Sequence, residues 1–112
     1  MTDPVSGKPI PHELQQTYKA EFGRAVKLFE KSLKEYEATT DNEAKKAKFK
    51  DVMDKALVIM NESARGFMNE HDQKTEAKVG QDYQAFIAAE GSDHAAKLNQ
   101  LQKDLRQMKG YA

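Results

Sequence analysis

The sequence predicts an all-α protein, an antiparallel helical bundle of three to four helices with a flexible N-terminal arm. Three observations carry this prediction. Apolar residues recur at spacings of three and four over long stretches, and no stretch alternates apolar and polar residues as a strand does. Ala, Glu, Lys, Leu and Arg supply 49 of the 112 residues, near the proportion of long helices and coiled coils.

Residues 1–10 carry Pro4, Gly7 and Pro9 and read as an extended or disordered arm. Pro11 suits the first turn of a helix, where its missing N–H is not needed. Leu14, Tyr18, Phe22, Val26, Phe29, Leu33 and Tyr36 then fall within a stripe of roughly 120°, predicting a helix over 11–38. Thr39 to Asn42 interrupt it, with Thr40 or Asp41 as cap of the next helix and Glu43 in its first turn. So short a loop returns the second helix antiparallel to the first.

That second helix, 42–71, carries Phe49, Met53, Ala56, Leu57, Met60, Ala64, Phe67 and Met68 on one stripe. Val52, Ile59 and Ser63 flank it. Residues 69–78 offer nothing larger than alanine to bury, and apolar periodicity resumes at Val79, Tyr83, Phe86 and Ile87, rotated by about 100° at ~3.6 residues per turn. Two arrangements accommodate the rotation. One is a turn near Asp72 to Thr75 that opens a helix over 75–89; the other is a single helix from 42 to 89 whose far end packs elsewhere. Gly91 then ends one helix and Ser92 caps the last, 93–109, whose Leu98, Leu101, Leu105 and Met108 form a narrow seam like a coiled-coil edge. At ~1.5 Å per residue the first two helices are ~42 and ~45 Å long. The two shorter ones together match a third layer of that length, and the size suits one domain over 11–112.

The composition bounds the function. Leu, Ile, Val and Phe number 20, just under the fifth of the chain at which disorder competes when net charge is large. Here 18 Lys and Arg balance 18 Asp and Glu, which favours folded helices and removes the general electrostatic argument for nucleic acid or an anionic membrane. There is no cysteine, hence no disulfide and no thiolate metal site. The N-terminus lacks a basic start followed by an apolar core, and no run approaches membrane-spanning length. A cytoplasmic location is expected, with export by a route that uses no cleaved signal as the alternative.

The triplet Met-Asn-Glu occurs twice, at residues 60–62 and 68–70. On one helix Glu62 and Glu70 would stand ~12 Å apart along the axis and ~80° apart around it, so they do not form one site. His71 falls on the Met60 face, as expected of a histidine near a helix C-terminus, where the terminal carbonyls and the dipole favour it. A metal ligand or titrating switch at His71 or His94 is the sharper alternative. No Glu-x-x-His pair, HExxH, calcium loop or phosphate-cradling loop is present, and no serine has a nucleophile's local motif. No catalytic residue, cofactor or metal is therefore assigned.

The basic cluster Lys45, Lys46, Lys48 and Lys50 surrounds Phe49, but its lysines point apart and Asp51 and Asp54 follow at once. Nucleic-acid binding through it is an alternative that this pattern disfavours. What remains is a set of deformable methionines, Met53, Met60, Met68 and Met108, and a shallow strip of Ile59, Ser63 and Gly66. The expected function is a non-catalytic protein-protein interaction module, a helical adaptor, regulator or chaperone-like protein of a secretion or assembly system. It would bind another protein through Ile59, Met60, Ser63, Gly66, Phe67, Met68 and His71. Leu98, Leu101, Leu105 and Met108 are the expected self-association seam of a homodimer.

Overall fold

A computed structural model of the protein describes residues 10–111. Among them four helices follow one another: α1 His12–Ala38, α2 Glu43–Arg65, α3 Glu70–Ala88 and α4 Ser92–Lys109. Helix backbones approach in four pairs, α1/α2, α2/α3, α3/α4 and α4/α1, and not across the diagonals. The side chains that meet fix the directions. Tyr36 near the end of α1 lies under Lys46 near the start of α2, Asp54 and Asn61 of α2 reach Tyr83 and Glu76 of α3, and Glu37 of α1 meets His94 at the start of α4. The bundle is therefore up-down-up-down, with extents of 49 × 23 × 22 Å.

The break between α2 and α3 differs from the predicted one. It falls at Gly66 to Asn69, so α2 ends six residues earlier than expected and α3 starts five residues earlier. The cap decides this. The Asn69 side chain accepts the Asp72 N–H at 2.8 Å, satisfying an N–H that the first turn leaves open. Asn42 does the same for Lys45 at 2.9 Å, in place of Thr40 or Asp41. The single helix over 42–89 is thereby excluded, and the 100° rotation between the Met60 and Val79 stripes is absorbed in the turn. At the last break Gly91 has φ +61°, a conformation that favours glycine, and Ser92 is the first residue of α4 rather than its cap.

The third layer is also replaced. α3 and α4 fold back on each other instead of lying end to end, as the Tyr111 hydroxyl donating to Asp72 at 3.0 Å shows. Four helices then surround one core, in which Phe22, Phe29, Met53, Met60, Tyr83 and Leu101 are each fully buried. Edge-to-face ring pairs cross it at three levels: Phe22 with Phe67 at 5.4 Å, Phe29 with Tyr83 at 5.4 Å and Tyr36 with Phe86 at 5.9 Å. Each contributes about 0.5–1.5 kcal/mol beyond the area it buries. Residues 1–9 of the expected arm lie outside the described residues. Ile10, assigned to that arm, is buried, and its carbonyl accepts a hydrogen bond from Gln15 at 2.7 Å.

Candidate functional site

The structure distributes the expected partner-binding residues between core and surface. Met60, Ser63, Gly66 and Met68 are buried in this chain's own core, and Phe67 packs on it against Phe22. Phe67 and Met68 sit in the α2/α3 connection and plug that end of the bundle, because the chain turns inward after Arg65. Ile59 stays 41% exposed beside Val58 at 55%. His71 is exposed in the first turn of α3, not at a helix C-terminus, so the carbonyl and dipole argument does not apply to it. The expected self-association seam is internal as well: Leu101, Leu105 and Met108 are buried and Leu98 packs against the same core. Each of the three buried side chains stabilises the docking of α4 by about 1.5–3 kcal/mol.

The charged candidates are engaged locally. His94 Nε2 lies 3.0 Å from Glu37 Oε1 with its ring against Phe86, a latch between the start of α4 and the end of α1. Lys46 stands 4.5 Å over the Tyr36 ring, Lys45 lies 6.0 Å from the Phe49 ring and Lys50 pairs with Asp54 at 3.1 Å. Only Lys48 of the KKAKFK cluster has no such contact among the described residues. Among the described residues no group of three or more His, Asp or Glu side chains is placed to hold a metal ion.

Three carboxyl or phenol groups inside the bundle have perturbed acidity, each with a visible cause. Burial pushes the Tyr83 hydroxyl up, helped by its 2.6 Å hydrogen bond to Asp54. Burial also raises Glu76, against the opposing influence of the Asn61 N–H at 3.2 Å and the Arg65 charge. Asp82, between α3 and α4, is pushed up to about 6 by burial, by a shared hydrogen bond with Asp104 and by that residue's charge. A hollow of about 430 Å³ between α2 and α3 is bordered by Glu62, Arg65 and Glu76, so one cation there faces two carboxyl groups.

The α1/α4 seam is different. It is the least extensive of the four helix pairings, and two adjoining hollows of about 640 and 290 Å³ run along it, sharing Glu30 and Lys109. Lys19, Arg24, Lys27 and Lys34 of α1 and Arg106 and Lys109 of α4 line them, with Glu30 as the one carboxylate among the described lining residues. Glu30 is bound by Lys109 at 2.7 Å, and Glu37, the next acid on that flank of α1, by His94. The seam thus concentrates positive charge in a chain of zero formal net charge. Ala20 and Gly23 keep its α1 wall low.

Helix lengths explain the opening. α1 has 27 residues and α4 has 18, and with His94 level with Glu37 the shorter helix runs out beside the middle of α1. Local runs of sequence conceal the site, because its cations are spread over two helices and mixed with acids. Projection of α1 alone shows part of it: Lys27 and Lys34, seven residues apart, return to one flank within about 20°, while Lys19 stands about 80° around from Lys27. No known protein family, curated protein or solved structure matches the chain.

Proposed function

We propose that the protein is a non-catalytic interaction module, a helical adaptor, regulator or assembly chaperone, that receives another protein in the α1/α4 seam. The observation that carries this reading is the set of six cations with one carboxylate along the hollows of the least extensive helix junction. A surface of one sign steers an oppositely charged partner and fixes its register. The reading moves the binding surface from the Met60 face, which the core occupies, to the opposite side of α1. The cytoplasmic setting expected from the cysteine-free composition belongs to this proposal.

The test is position-dependent crosslinking in the native cell. A photoreactive residue at Ala20, in the seam, is expected to capture a protein that also binds as a purified component, while one at Glu62, on exposed α2, is expected to capture none or others. If Ala20 and Glu62 capture the same proteins, or if the Ala20 adduct does not bind when purified, the seam is not the site.

A further inference from the structure

Resting on the reading of the seam as a protein-binding site, we infer that its occupant is an acidic amphipathic α-helix laid along α1. Lys27 and Lys34 are both exposed and stand seven residues apart, which is ~10.5 Å along the helix axis and within ~20° around it. A second helix returns the same face every seven residues, about 10.5 Å. Carboxylates at that interval on a partner helix therefore meet these two lysines in register, and Lys19 adds its charge beside the larger hollow. The low wall at Ala20 and Gly23 lets the partner backbone come close, and the lysine methylene stems supply apolar cover for its flanks.

A nucleic acid is the competing anionic occupant, and the seam is poorly suited to it. Single-stranded binders stack bases on aromatic side chains, and no aromatic residue lines either hollow among the described residues. The cations also lie along a concave junction between two helices, with Lys27 of α1 bordering one hollow and Arg106 of α4 the adjoining one.

The probes are peptides about three heptads long, titrated by fluorescence anisotropy into the full chain. One carries Glu at seven-residue intervals beside a Leu and Ala stripe, a second has Gln in place of each Glu, and a third has Lys. An oligodeoxythymidine of similar length is the nucleic-acid arm. The Glu peptide is expected to bind, to weaken as salt is raised, and to exceed the Gln peptide by roughly tenfold or more. The variant Lys19→Glu, Lys27→Glu, Lys34→Glu, checked for an unchanged melt, is expected to lose the Glu peptide and gain the Lys peptide. Equal binding of the Glu and Gln peptides would overturn the acidic partner while leaving a protein-binding seam. Oligonucleotide binding without Glu-peptide binding would overturn the partner class, and binding of none of the probes would remove both.

Discussion

Along its α2 flank, α1 is closed by small residues and a fitted ring. Ala25 and Ser32 of α1 and Ala56 and Ser63 of α2 are buried at seven-residue spacing on each helix, so the backbones come together, and the Tyr18 ring fills the place where Gly66 lacks a side chain. Along its α4 flank the same helix carries Lys19, Arg24, Lys27 and Lys34 around open hollows, and polar latches at Glu30 and Glu37 join it to α4. The difference teaches that one amphipathic helix has two edges with separate duties. The edge with small side chains is completed by the next helix in the chain. The edge with long charged side chains is left short of cover, since lysine heads retain their water and only their stems pack.

The strongest way to break this comparison is Leu105→Ala. Its side chain lies on the buried side of the α1/α4 seam, so the truncation is expected to lower stability by about 2–5 kcal/mol in a denaturant melt. A loss well under that range would mean that α4 is held by its polar latches instead. Gly66→Ala attacks the closed flank. A Cβ there would lie 2.7 Å from Tyr18 Cε2 and closer to other ring atoms, and an overpacking loss of about 1–3 kcal/mol is expected. Tyr18→Ala in the same chain should relieve the clash, so non-additivity of the pair measures it.

Gly80 provides the opposite sign. It sits inside α3 with nothing within 4 Å of a Cβ, so Gly80→Ala is expected to stabilise by about 0.5–1 kcal/mol through helix propensity. A loss there would show that α3 is packed more closely than its glycine suggests. A smaller, pH-dependent effect is expected at the α3/α4 junction. Because Asp82 is raised from 3.8 to about 6, the folded state holds a proton that the unfolded chain releases between those values. This contribution to stability should then be fully present below about pH 4 and be lost as pH rises through about 6. Asp82→Asn should flatten that decline, and an unaltered pH profile would show that the Asp82 carboxyl is not raised. The smallest effect belongs to the open flank: Lys27→Glu should leave the melt within about 0.5 kcal/mol, even where it abolishes binding.

The helices themselves were legible from apolar periodicity, and α1 was placed within a residue at each end because both a proline and a polar break bound it. The α2/α3 boundary was not, because Asn69 sits inside an Asn-Glu-His-Asp string that reads as one polar stretch. Only the hydrogen bond from Asp72 distinguishes it as a cap. The proposed site was the least legible part. A run of lysines at 45–50 stands out along the chain, yet three of its four lysines are engaged by Tyr36, Phe49 and Asp54. The less conspicuous Lys19, Lys27 and Lys34 line the opening.

The sequence by itself determined that the chain is helical, that α1 and α2 return on each other, and that Met60, Phe67 and Leu101 are apolar anchors. Those conclusions follow from periodicity and short loops, which are local. Tertiary structure alone decided whether each anchor faced solvent, a second copy or this chain's own core, because burial depends on which helix arrives from elsewhere. The folding back of α4 on α3 brought Leu101, Leu105 and Met108 into the bundle and left one edge of α1 uncovered. Two helices of unequal length made that edge a furrow, and the charges along it became a common feature only when the bundle closed.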